Sequence, residues 1–260
     1  MENIIIFKIT FLTILSFLWA WMWTPIVHRL LVRYNLVKRI RDEASAPIFS
    51  ALHKGKEGTP TMGGVLIWTT PFLFALFFAY LTLIFDDPII QQLTFLTRSQ
   101  VLLPLGALVA SALIGVVDDL LNIKRMGPFG GGLRMRHRFF LYAIIASIGA
   151  WWFYFKLDWD ILHIPFFGDF NIGIWYIPFF IFIIVATAFS VNEADGLDGL
   201  AGGTLLAAFA SYGAIAFIQD KYDLATFCAV IIGALLAFLW FNIYPAKFFM
   251  GDTGSMSLVV

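Results

Sequence analysis

The sequence predicts an all-α, polytopic transmembrane bundle, and three observations lead there. The chain of 260 residues is 60% hydrophobic and only 13% charged, where soluble domains carry roughly 25% charge. Seven nearly uninterrupted apolar stretches each approach the ~20 residues that cross a bilayer as a helix. Their length and low polarity disfavour barrel strands, which need only about ten residues with period-2 alternation.

The expected spans are residues 9–27, 62–85, 100–117, 139–155, 173–190, 199–218 and 224–241, with an eighth beginning near Asp252. The first is not a cleavable signal, because it is long, carries Trp19, Trp21 and Trp23, and lacks a basic start and a small-x-small exit. Between the fourth and fifth spans, residues 157–172 alternate polar and apolar side chains around Gly168-Asp169, which predicts a short interfacial hairpin. Cys228 falls in mid-span and reads as a small packing residue. No repeats or linkers interrupt the chain, so residues 1–260 are read as a single integral membrane domain.

Orientation follows from the basic residues. With the N-terminus outside, the inner segments hold thirteen of the seventeen Lys and Arg, leaving Lys8, Arg98, Lys156 and Lys221 outside. The positive-inside rule therefore selects that topology. It puts three acidic clusters on one inner face: Asp118-Asp119, Asp195 with Asp198, and Asp252.

Carboxylates are costly at a membrane boundary unless paired or used. Asp118-Asp119 closes the third span, where acids oppose the helix dipole, so a solvated helix end is the weaker reading. Adjacent helical residues point ~100° apart, which suggests different roles for the two. Asn192 to Leu200 is a glycine-broken polar stretch. Asp195 and Asp198 would share a helix face if the helix continued through it; a plain tight turn is the alternative. Gly251-Asp252-Thr253-Gly254-Ser255 could offer backbone N–H groups to phosphate while Asp252 holds a cation, or could simply cap a helix. Basic residues near Gly58 to Gly64 and from Lys124 to Arg138 are explained by topology alone. Facing the acids, they gain a second meaning, since Mg²⁺ with Lys or Arg binds a diphosphate as phosphoryl transfer requires. No Walker loop and no zinc-binding His-Glu-x-x-His occurs, and nothing points to a nucleic-acid partner.

Four blocks in order, Gly-Thr-Pro-Thr-Met-Gly-Gly (58–64), Gly-Val-Val-Asp-Asp (115–119), Asn-x-x-Asp-Gly-Leu-Asp-Gly-Leu-Ala (192–201) and Asn-x-x-Pro-Ala-x-x-Phe-Met-Gly-Asp-x-Gly-Ser (242–255), resemble the phospho-N-acetylmuramoyl-pentapeptide transferase family. The wider superfamily transfers other sugar-1-phosphates to polyprenyl phosphates, and Thr61-Met62 looks more like the muramoyl branch. The resemblance implies a multi-pass enzyme of the bacterial inner (cytoplasmic) membrane with its active site on the cytoplasmic face. It would move phospho-muramoyl-pentapeptide from its UDP carrier to undecaprenyl phosphate, with Mg²⁺ required and UMP released.

By similarity, the catalytic residues are Asp118, Asp119 and Asp252. Asp252 would be the Mg²⁺ ligand, Asp118 would deprotonate the lipid phosphate or attack as a covalent nucleophile, and Asp119 would assist phosphate or metal. Lys56, Thr61, Asn192, Asp195 and Phe249 would line the nucleoside site, with Phe249 on uracil. Asp198 and Asn242 would support the centre. Glu193-Ala194 replaces the family's more usual Leu-Thr at variable positions. The family continues with further spans and a histidine-rich loop, whereas this sequence stops early in the eighth span, so a C-terminally incomplete chain is expected. Alternatives are another polyprenyl-phosphate sugar-1-phosphate transferase, an inactive fragment, or a transporter, which would instead place its ionisable groups near the midplane. Oligomeric state stays open, a homodimer included.

Overall fold

Every span identified by its apolar run is helical, because a backbone in lipid must satisfy its own N–H and C=O groups. The computed structural model describes residues 2–37, 58–97, 100–124, 126, 132–164 and 166–259. Among these residues, helix α1 covers Glu2–Arg33, α2 Val65–Ile84, α3 Pro88–Leu93, α4 Leu102–Ile123 and α5 Met135–Lys156. After a hairpin come α6 Tyr176–Ala194, α7 Leu200–Ile218, α8 Tyr222–Asn242 and the short α9 Asp252–Ser257. Seven of them are long and apolar enough to cross a membrane. At the place of the expected eighth element stands the six-residue α9.

The helices overrun the apolar stretches that reveal them. The first reaches Arg33 and the third continues past Asp119 to Ile123. Hydroxyls inside the spans turn back on their own helix, as Thr24 Oγ1 does to Ala20 O at 2.7 Å and Thr70 Oγ1 to Leu66 O at 2.7 Å. At the start of α3, Asp87 caps Ile89 N at 2.7 Å and Pro88 occupies the first helical position.

α8 is the central helix: 72% of its apolar window is buried, against 11% for α6. It packs mainly on α1, α7 and α2. The approach to α1 is close because Gly233 has no side chain; a Cβ there would lie 2.4 Å from Thr13 O. Ser16 Oγ joins the two helices through Val230 O at 2.6 Å. α5 and α6 pack on each other and leave most of their surface outward.

The hairpin is present as β1 Ile161–Ile164 and β2 Gly168–Asn171, antiparallel, with His163 opposite Asp169. Its turn lies before Gly168, so Gly168 opens the second strand instead of centring the loop. At that same end of the bundle, Lys8 Nζ binds Asp223 Oδ1 at 2.9 Å and Thr94 O at 2.8 Å. Successive helices alternate in direction, so the ends of α4, α6 and α8 and the starts of α5 and α9 collect at the opposite end.

Candidate active site

Gly115, Asp118, Asp119 and Asn122 follow the i, i+3, i+4, i+7 rule and form one stripe of α4. That stripe faces α9. Gly115 permits the contact, since a Cβ there would sit 2.4 Å from Asp252 O. The segment before α9 is tied by backbone bonds to the loop before α2: Phe249 N donates to Pro60 O, Gly63 N to Phe249 O and Gly64 N to Met250 O, each at 2.8 Å. Glycines at 63 and 64 are required because Phe248 and Gly254 press on them, at 2.2 Å and 2.3 Å from the place of a Cβ. Gly251, with φ +74°, makes the turn that starts α9.

Asp118 and Asp119, adjacent in sequence, point to different partners as their ~100° separation requires. Asp119 is buried and accepts from Asp252 N at 3.1 Å and Thr253 N at 2.9 Å, which makes it a capping carboxylate for α9 supplied by another helix. Through these two bonds it braces the loop that carries Asp252. Asp118, fully buried, accepts from Leu133 N at 2.6 Å through Oδ1. Its Oδ2 lies 2.5 Å from Arg138 Nη2, in ion contact but outside the angle of a directed hydrogen bond.

Arg138 ties the cluster together. Nη2 also donates to Asp252 Oδ2 at 3.1 Å, and Nη1 to Asn192 Oδ1 at 3.0 Å. Asn192, in the last turn of α6, donates through Nδ2 to Asp252 Oδ1 at 3.0 Å and to Ser255 Oγ at 3.1 Å. Asn122 Nδ2 reaches Asp252 Oδ2 at 3.4 Å. Four helices, α4, α5, α6 and α9, thus aim two carboxylates, one guanidinium and two amides at a single point. Removing one member of such a buried ion cluster strands the others, at about 3–5 kcal/mol.

The flanking residues are braces. Asn242 Oδ1 accepts from Gly199 N at 3.0 Å while its Nδ2 donates to Phe248 O at 2.9 Å, joining the α6–α7 turn to the loop before α9. Asp198 Oδ2 accepts from Ala246 N at 3.3 Å on the same loop. The conditional pairing of Asp195 with Asp198 on one helix face is not realised, because α6 ends at Ala194 and Gly199 adopts φ +78°. Asp195 is half-buried just past that end. Thr61 is buried, with its hydroxyl lacking a hydrogen-bond partner and 2.8 Å from where a Cβ of Gly251 would lie. Phe249 is half-buried beside it in the paired segment. Lys56 lies outside the described residues.

Positions 101–260 match glycosyl transferase family 4, and positions 56–67 match the first signature of phospho-N-acetylmuramoyl-pentapeptide-transferase. A Thermodesulfovibrio yellowstonii protein of that name is 35% identical over 278 residues, covering 97% of this chain and 71% of the relative. The chain belongs to glycosyl transferase family 4. A Chloroflexus aurantiacus phospho-N-acetylmuramoyl-pentapeptide-transferase is 37% identical over 233 residues, and one from Clostridium novyi is 35% identical over 237. The chain spans 58% of the length of the Chloroflexus relative.

For a family 4 chain, the donor set can be tested against a metal. Among the described residues no group of three or more His, Cys, Asp or Glu is arranged to hold one. Mg²⁺, however, takes only one or two carboxylates together with waters and substrate phosphates. Asp118 and Asp252 both touch the same Arg138 nitrogen, and Asp118 Oδ2 is buried without a directed hydrogen bond. Two hard oxygen ligands converging on one cationic position fit that requirement.

Asn122 carries no signal in the sequence, and Arg138 is there only one basic residue of the stretch from Lys124. Arg138 did carry a signal, since Arg134, Arg136 and Arg138 crowd the start of α5, where the helix dipole disfavours positive charge.

Proposed function

We propose that this protein transfers phospho-N-acetylmuramoyl-pentapeptide from its UDP carrier to undecaprenyl phosphate, at the cytoplasmic face of a bacterial inner membrane. The observation that carries this reading is the cluster of Asp118, Arg138, Asn192 and Asp252, with both carboxylates buried, at one end of the transmembrane bundle. The names of the relatives support it. In the reaction an oxygen of the lipid phosphate forms a bond to the sugar-bearing phosphorus. The bond from that phosphorus to the bridging oxygen breaks, and UMP leaves with the electron pair.

Asp252, with Asp118 beside it, would hold Mg²⁺, which supplies Lewis-acid stabilisation of the developing phosphate charge. Asp118 accepts the proton of the lipid phosphate; Leu133 N fixes its other oxygen. Asp119 and Gly251 set the position of Asp252. Phe249 stacks on the uracil ring, and Lys56, Thr61, Asn192 and Asp195 complete the nucleoside side. Asp198 and Asn242 hold the intervening loop. An apolar groove of about 580 Å³ between α5 and α6, lined by Phe139, Ala143, Ile181, Phe182, Val185 and Phe189, suits a polyprenyl chain.

The test is transfer by the purified protein in detergent, supplied with UDP-muramoyl-pentapeptide, undecaprenyl phosphate and Mg²⁺. Lipid-linked product and UMP are expected in equal amounts. UMP release without the lipid acceptor would replace the base role of Asp118 with a covalent one. Transfer from UDP-N-acetylglucosamine in preference to the muramoyl donor would move the protein to another branch.

A further inference from the structure

We infer that Arg138 is a positioning residue that stands in for the divalent cation, and that its displacement couples cation binding to diphosphate binding. The inference rests on the metal-dependent reading above and deepens it. Arg138 Nη2 lies between two carboxylates, 2.5 Å from Asp118 Oδ2 and 3.1 Å from Asp252 Oδ2. That is where oxygen ligands of a hard cation would converge. Helix formation does not account for the charge, because the first turn of α5 disfavours it.

The cluster is also unequal in its freedom to move. The Asp118 and Asp252 side chains are 0% and 5% exposed, and that of Arg138 is 18% exposed, so the guanidinium is the member with a way out. Its present fit is incomplete. Asp118 Oδ2 and Arg138 Nε are both buried without a hydrogen-bond partner. Asp118 Oδ2 is held by ion contact alone, and Arg138 Nε has a donor to spare for another partner.

Two cations cannot share the position, so a divalent ion binds only as Arg138 withdraws. The displaced guanidinium then lacks an anion. A diphosphate supplies one in the geometry that arginine binds best, through paired N–H donors. Each ligand therefore strengthens the other, and by thermodynamic reciprocity the two enhancements are equal.

The experiment measures Mn²⁺ binding to the detergent-solubilised protein by electron paramagnetic resonance, with and without UDP. Wild type should bind Mn²⁺ weakly alone and more tightly with UDP. Arg138→Met should bind Mn²⁺ without UDP about 10- to 150-fold more tightly than wild type, the equivalent of one charge-assisted hydrogen bond released from competition. The enhancement by UDP should shrink in step. Arg138→Lys keeps the charge but not the fork, so its Mn²⁺ affinity should fall between the two. Unchanged or weaker Mn²⁺ binding in a folded Arg138→Met, judged by thermal melting, overturns the inference. If that variant does not fold, wild-type Mn²⁺ affinity in Arg138→Lys overturns it. Failure of wild type to bind Mn²⁺ even with UDP instead removes the metal-dependent reading, and the inference with it.

Discussion

Replacing Asp119 with alanine takes away the acceptor for two buried backbone donors, Asp252 N at 3.1 Å and Thr253 N at 2.9 Å. Asp252 and Thr253 are 4% and 0% exposed, so water cannot readily take the carboxylate's place. A buried donor left unpaired costs about 1–3 kcal/mol, and two such donors put Asp119→Ala at roughly 2–6 kcal/mol. Asp119→Asn keeps one acceptor oxygen and should lose about half of that. The loss should be local, because the affected amides open the six-residue α9 and the Gly251 turn, which pack mainly on α4 rather than on α8. Hydrogen exchange read by mass spectrometry should show residues 251–257 deprotected in Asp119→Ala, with α8 unchanged and a lower melting temperature in detergent. Were Asp119 instead a phosphate or metal contact with no capping work, the variant would keep wild-type exchange and melting while its Mg²⁺ requirement rose. That result would refute the bracing role.

Other residues give separate expectations. Asn242→Ala should cost about 2–6 kcal/mol on the same reasoning, since it strands Gly199 N and Phe248 O, and a thermal melt reads it directly. Phe249→Ala should weaken uridine nucleotide binding about 5- to 150-fold, the worth of one stacked base, while leaving inorganic pyrophosphate binding unchanged; calorimetry with both ligands checks it. Cysteines placed singly at Leu197 and Asn171 should react with impermeant reagents from opposite sides of the membrane, Leu197→Cys from the cytoplasm, and labelling of both from one side would break the topology.

The membrane architecture was legible because burial in lipid writes itself as long apolar runs. Helix ends were less so. Charged Asp118 and Asp119 read as the close of the third span, yet α4 continues to Ile123 because its acidic stripe is covered by protein. The pairing of Asp195 with Asp198 depended on a helix that glycine interrupts. Arg138 was harder still: one of several basic residues near a span end is explained by topology, and its meaning comes from Asp252, 114 positions away in sequence. Asp119 shows the same limit. A motif places it beside Asp118, but only the packing of α9 on α4 reveals that its oxygens face backbone amides.

The central claim is that Asp252, at the focus of this cluster, carries metal-dependent phosphoryl transfer. It is tested most directly by Asp252→Asn, a nearly isosteric change that removes the charge. The account predicts lipid product from UDP-muramoyl-pentapeptide in the wild type, lost in excess EDTA and restored by Mg²⁺. In Asp252→Asn it predicts no product at any Mg²⁺ concentration, with membrane insertion intact. Undiminished transfer by that variant, or by the wild type in EDTA, would contradict it.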